Sequence, residues 1–281
     1  MGAVKRSVER KFWKWMCRFF RPFVDRIRNG TLPGLNDPEI RRVLQSPQAD
    51  EVITKKIAEM AREIRTDSAR SWREAAAKAH STLPAAAVRN EMQGPVGARI
   101  AQLVSENAAY IKTLPQEWAR YVTQYAYREG MKGRRPEEVE KELRKILPGH
   151  ITRNLKCIAR TECAKANAAI NQARAESVGI RAYFWRCVND ERSRDSHRGM
   201  DGVLVFFNDP PDPEALTGAG VSYGRYHAGN TFNCRNTYGG RFVRKEVILK
   251  STKQSPLTKQ TMGQERNRLI ETAYLAGTGG E

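Results

Sequence analysis

The stretch Ala175-Glu176-Ser177-Val178-Gly179-Ile180-Arg181-Ala182-Tyr183-Phe184-Trp185-Arg186-Cys187-Val188 joins two kinds of chain. Upstream of it, from about Ile151 to Ser177, the sequence predicts a helix, and Gly179 is the residue type that most readily takes the left-handed conformation closing one. Downstream, Arg181 to Val188 gathers aromatic and β-branched residues into a short run, which is the pattern of a strand. Val203 to Phe207 and Thr237 to Val247 repeat that character, separated by loops rich in Gly, Pro, Asp and Asn. The expected fold class is therefore α+β, a mostly helical N-terminal region followed by a small α+β C-terminal domain at residues 151–247.

Working back from that junction, helices are expected at Val96–Lys112, Pro115–Glu129 and Arg135–Leu147. Pro136-Glu137-Glu138 is a favourable helix start, because proline fits the first turn and acids face the positive end of the helix dipole. Gln93-Gly94-Pro95 separates these helices from an earlier one, about Ala49 to His80, whose thin apolar stripe is Ile53, Ile57, Met60, Ile64 and Trp72. Together they make a helical region over residues 49–150. Residues 31–48, with their Pro and Gly, read as a linker, and residues 248–281 as a polar tail ending in Gly277-Thr278-Gly279-Gly280.

Residues 1–30 form a basic, aromatic, amphipathic helix. Val4, Val8, Phe12, Trp15, Phe19, Phe23 and Ile27 recur in steps of three or four, and nine Lys or Arg stand against two acids. Pro22 is expected to kink or restart the helix, and Asn29-Gly30 to end it. Three partner readings compete: the stripe docks in a hydrophobic groove, the cations touch DNA, or the helix lies at a membrane interface. Against them stands packing of the stripe on residues 49–130 of the same chain. The candidate partner- or DNA-binding residues are Lys11, Trp13, Lys14, Trp15, Arg18, Phe19, Arg21 and Phe23.

Composition bounds these readings. The 281 residues carry 49 Lys and Arg against 31 Asp and Glu, a formal charge of +18, so a polyanion such as nucleic acid is an expected neighbour. Five scattered cysteines without a C-x-x-C pair do not make a secreted disulfide framework. No run reaches the roughly 18 uninterrupted apolar residues of a membrane span, and Lys14, Arg18 and Arg21 interrupt what would have to be a signal peptide's apolar stretch. The chain is expected to be made in the cytoplasm.

Two polar blocks carry the functional signal. The first is Asp190-Glu191-Arg192-Ser193-Arg194-Asp195-Ser196-His197-Arg198-Gly199-Met200-Asp201-Gly202, and the second is His227-Ala228-Gly229-Asn230-Thr231-Phe232-Asn233-Cys234-Arg235. They resemble the D-E-R-x-R-x-S-H-R-x-x-D-G and H-P-G-x-x-x-N-C-R-C segments of Mu F-like minor head proteins of tailed bacteriophages, with Ala228 for the proline and Asn236 for the last cysteine. Ile158-Ala159-Arg160-Thr161-Glu162 with Asn167 and Arg174, and Ser105-Glu106-Asn107 before Tyr110-Ile111-Lys112-Thr113-Leu114-Pro115, agree in the same order. The resemblance spans about Val96 to Phe242. It implies a non-enzymatic virion protein of head morphogenesis and DNA packaging, sited at the head interior or portal region. The implied partners are portal protein, major capsid protein and packaged double-stranded DNA.

The structural motif residues expected from this resemblance are Arg160, Glu162, Asp190, Arg192, His197, Asp201, Gly202, His227, Asn233, Cys234 and Arg235. As a network they would pin loops: Asp190 and Arg192 paired with neighbours, Asp201-Gly202 turning into the strand at Val203, and Arg235 on a carboxylate such as Glu162. No cofactor is expected. The alternative is a basic DNA-binding or DNA-processing protein holding zinc at His197, His227 and Cys234, with Cys187 or Asp190 as fourth ligand. Arg194 and His197 stand where some relatives of that family carry paired cysteines, so this chain departs from their metal pattern. Cys234, either histidine and Asp190 or Asp201 also supply the residue types of a nucleophile, base and orienting acid.

Overall fold

The computed structural model describes residues 3–34, 37–79, 88–89, 91–180, 182–234 and 237–238. The predicted tail at 248–281, Arg235, Asn236 and most of the third predicted strand lie outside them. The elements are α1 Arg6–Phe19, α2 Arg21–Arg28, α3 Pro38–Leu44, α4 Pro47–Ala79, a 3-10 turn Glu91–Gln93, α5 Pro95–Met131, α6 Pro136–Ser177, β1 Ala182–Arg186, α7 Asp195–Gly199, β2 Leu204–Phe206, α8 Pro213–Thr217 and β3 Thr237–Tyr238. The architecture is mostly helical α+β, as the sequence predicts.

Several boundaries differ from the sequence reading. A helix, α3, lies inside the expected linker. Pro115 and Pro148 sit within α5 and α6 instead of ending them. An interior proline costs a helix about 3 kcal/mol, but here the turns on both sides are buried: Ile111, Leu114 and Trp118 around Pro115, and Leu143, Leu147, Ile151 and Leu155 around Pro148. Burying several large apolar side chains, each worth about 1.5–3 kcal/mol, outweighs the lost bond and the ring clash.

The chain groups into two compact units, which cut across the sequential division expected above. The helical unit comprises the described residues of Val4–Asp67 and Val96–Asn167, while the mixed unit holds the described residues of Ser68–Pro95 and of the stretch from Ala168 to Tyr238. In the helical unit the buried residues include Val8, Phe12 and Met16 of α1 with Phe20 just past its end, Ile53, Ile57, Met60 and Ile64 of α4, and the apolar faces of α5 and α6. The α1 stripe is thus the i, i+4 row through Met16 and Phe20, with Trp15 and Phe19 only half-buried. Phe20 and Phe23 pack their rings on Trp118, at 4.9 and 5.2 Å between centroids.

The mixed unit begins at the junction quoted above. α6 closes with Gly179 at φ +75°, the Gly179 N–H donating to the Glu176 carbonyl at 3.0 Å and the Ile180 N–H to the Ala175 carbonyl at 2.9 Å. Ile180 then packs against the core of Trp72, Tyr183, Trp185, Met200, Val203, Val205, Phe207 and Tyr226. The sheet order is β2-β1-β3, with both pairs antiparallel and Tyr183 opposite Val205. Alternation on β1 sends Tyr183 and Trp185 inward.

Candidate functional site

β1 and β2 are joined by the first polar block, and its charged residues shape the loop. The Asp190 carboxylate accepts from the Arg192 backbone N–H at 3.1 Å and from the Ser193 hydroxyl at 3.1 Å. Asp201 reaches back to the end of β1, accepting from the Cys187 N–H at 2.8 Å and the Asn189 side chain at 3.4 Å. Gly202 adopts φ +83°, a conformation that strains other residues, and its N–H donates to the Trp185 carbonyl at 2.8 Å. Together these bonds fasten both ends of a loop whose polarity would otherwise favour solvent. The Arg192 side chain is exposed.

From this loop, α7 sends Ser196 and His197 into the interior, where both are buried. His197 Nε2 lies 2.9 Å from the Tyr226 hydroxyl, which lies 2.7 and 2.9 Å from the two Glu214 carboxylate oxygens. Ser196 donates to the same carboxylate at 3.0 Å. A phenol has one proton, and both Glu214 oxygens lie within reach of it, so Tyr226 donates to Glu214 and accepts from His197 Nε2–H. The Nδ1 atom is then an acceptor and faces Cys234 Sγ at 3.9 Å. Burial, with the Arg194 guanidinium nearby, lowers the His197 pKa to about 4, against an opposing pull from Glu214. Burial first, and the bond to Glu214 second, raise the Tyr226 pKa.

His227 has a different role. Its Nε2 lies 3.1 Å from the Phe207 carbonyl, which can only accept, and its Nδ1 lies 3.2 Å from the Tyr183 hydroxyl. Tyr183 also accepts from the Ala228 N–H at 3.0 Å. The ring is therefore neutral with the proton on Nε2, and burial lowers its pKa. Asn233 holds φ +54°, which asparagine tolerates better than most residues, within the turns that carry Cys234 to His197.

The zinc candidates are not gathered at one point. Both nitrogens of His227 are engaged elsewhere, and among the described residues no three His, Cys, Asp or Glu stand where they could hold one ion. The chemistry within reach is proton sharing along Cys234, His197, Tyr226 and Glu214, with all four side chains buried.

Arg160 and Glu162 belong to the helical unit rather than to this loop cluster. Arg160 stands 3.8 Å from Glu9. Glu162 is buried with Lys165 at 3.0 Å, and burial raises its pKa while Lys165 opposes the rise. The pairing imagined between Glu162 and Arg235 falls outside the described residues.

Sequence reasoning missed the partners. Tyr226, Glu214 and Tyr183 complete the histidine networks, and only the neighbouring position of Tyr226 beside His227 offered a signal. It also missed what Arg174 does. That side chain is fully buried, forking onto Glu91 at 2.6 and 3.0 Å and onto Ser68 at 2.6 Å. Ser68 and the Trp72 indole N–H both donate to Asn171 Oδ1, at 2.7 and 2.6 Å.

Of the eight candidate interface residues in α1 and α2, Lys11 pairs with Glu63 at 3.0 Å and Arg21 with Asp25 at 3.8 Å. Phe23 covers Trp118, and Trp13, Trp15 and Phe19 are half-buried. Same-chain packing is thus what the innermost part of the apolar stripe does. Lys14 and Arg18 point to solvent. Among the described residues no helix is long and apolar enough to cross a membrane.

Comparison with known proteins gives two matches. Residues 122–238 match the family described as Phage Mu protein F like protein, which covers α6, the sheet and both polar blocks. Over 109 residues the chain is 37% identical to an uncharacterized protein of Haemophilus influenzae strain Rd, a match spanning 38% of this chain and 21% of that relative. No solved structure matches the chain significantly.

Proposed function

We propose that this chain, Mu F-like over residues 122–238, is a minor capsid protein that acts in head morphogenesis of a tailed bacteriophage. The observation that carries the reading is the role of the matched residues. Asp190, Asp201, Gly202, His197 and His227 fasten loops to a small sheet, with the histidines neutral and buried. A network of that kind fixes the shape of a docking module and requires no catalytic step. Its place is the head interior or the portal region, and its protein partners are the portal protein, the major capsid protein or both.

Co-purification of the tagged chain with neighbouring head and portal gene products, at low and high salt and with metal content read on the same sample, tests this. Salt-resistant recovery of portal or capsid protein without stoichiometric metal is expected. Recovery of DNA and bound metal with no head partner would sink the proposal in favour of a DNA-processing protein.

A further inference from the structure

The nine Lys and Arg of residues 1–30 fall into two sets. Five have a carboxylate: Lys5 with Asp67 at 2.6 Å, Lys11 with Glu63 at 3.0 Å, Arg26 with Asp37 at 3.1 Å, and Arg28 and Arg21 with Asp25 at 3.3 and 3.8 Å. The other four are Arg6, Arg10, Lys14 and Arg18. All are exposed, and none is within ion-pair distance of a carboxylate among the described residues. Their spacing is four residues throughout, so they form a slanted row on α1 with steps of about 6 Å and a length of about 18 Å. The row lies about 200° around the helix from Val8, Phe12 and Met16, which are buried.

Like charges four residues apart oppose helix formation, and three such pairs occur in succession. Among the described residues no carboxylate stands within ion-pair distance of the row to compensate. We propose that the Arg6/Arg10/Lys14/Arg18 row is a binding surface for the sugar-phosphate backbone of duplex DNA, engaged without reading bases; this rests on the head-protein assignment for the presence of packaged genome. A duplex carries one negative charge per about 1.7 Å of axis and, with a persistence length of about 50 nm, is straight over the length of the row. Three of the four cations are arginines, whose planar fork suits phosphate. A membrane surface fits less well, because an interfacial helix must insert its apolar face, and here that face is buried in the helical unit's own core.

The test measures binding of the full chain to a short random-sequence duplex by fluorescence anisotropy across a salt series. In the variant Arg6→Gln/Arg10→Gln/Lys14→Gln/Arg18→Gln, the slope of log K against log salt is expected to fall in magnitude by about 3 to 4, from about 0.9 per lost phosphate contact. A control with the same charge change at the exposed Arg62, Arg70, Arg73 and Arg120 is expected to keep its slope to within about 1. The row variant should melt at or above the wild-type temperature in low salt, since it relieves repulsion.

Equal loss of slope in both variants would assign binding to net charge and overturn the inference, as would a lower melting temperature for the row variant. Tighter binding to vesicles containing anionic phospholipid than to the duplex, lost in the row variant, would also overturn it. Recovery of head partners with no duplex binding refutes this surface and leaves the head assignment standing. Duplex binding through the row with no head partner refutes the assignment and leaves the surface.

Discussion

The helical unit and the mixed unit solve the same problem with different materials. In the helical unit the largest buried side chains are apolar, α1 and α4 presenting rows at i, i+4 and i+3. Asn107 and Glu162 are buried polar exceptions, and the ion pair of Lys11 on α1 with Glu63 on α4 is on the surface. In the mixed unit the apolar core is interleaved with buried polar chains: Arg174 with Glu91 and Ser68, His197 with Tyr226 and Glu214, and His227 with Tyr183. The surface pairs of the first arrangement tolerate loss of a partner, because solvent replaces it. The second does not, because a buried polar group that loses its partner has nothing to replace it.

The largest effects should come from opposite kinds of substitution. Trp118→Ala in the helical unit opens a cavity beneath Phe20 and Phe23 and is expected to cost about 3–5 kcal/mol in urea unfolding. Glu91→Ala in the mixed unit removes little volume but leaves the Arg174 charge buried and uncompensated, at a similar cost of about 3–5 kcal/mol. A near-neutral Glu91→Ala would break the comparison.

Acid should separate the units next. The unfolded chain binds a proton at His197 near pH 6.5, the folded chain only near pH 4, so the stabilising contribution is complete above 6.5 and lost as pH falls between these values. The loss is on the order of 3 kcal/mol, and His227 adds in the same direction. Near-ultraviolet dichroism of Trp185, which packs on His197 at 5.7 Å, should report it. No change in that signal across the interval would contradict the buried neutral imidazole.

Tyr226→Phe keeps the ring but cuts the link between His197 and Glu214, and a loss of about 1–3 kcal/mol is expected. The smallest effect belongs to Glu63→Gln, which breaks the exposed pair with Lys11 and should change stability by less than about 1 kcal/mol. Measuring the last two substitutions side by side gives the sharpest form of the contrast. A larger cost for Glu63→Gln than for Tyr226→Phe would reverse it.

Much of the architecture was legible in the residues. Periodicity, the Gly179 stop and the aromatic runs settle the α+β class, because each reflects local backbone preference and one-sided burial. The resemblance held by the two polar blocks is likewise a property of residue order. Local rules failed at Pro115 and Pro148, where burial of the flanking turns outweighs a local penalty that sequence can count but not weigh. They failed again on α1, where the buried row runs through Met16 and Phe20 and leaves Trp15 and Phe19 at its margin.

Sequence alone therefore determined the α+β class, the order of helical region before strands, and the motif that places the chain near a family. Only the tertiary structure decided which polar residues meet. Arg174 finds Glu91 across 83 positions, and His197 finds Tyr226 across 29, through separations that no periodicity encodes. The physical reason is that apolar burial is non-directional and repeats along a helix or strand, whereas a hydrogen-bonded pair depends on two particular atoms being brought within about 3 Å by everything else that folds.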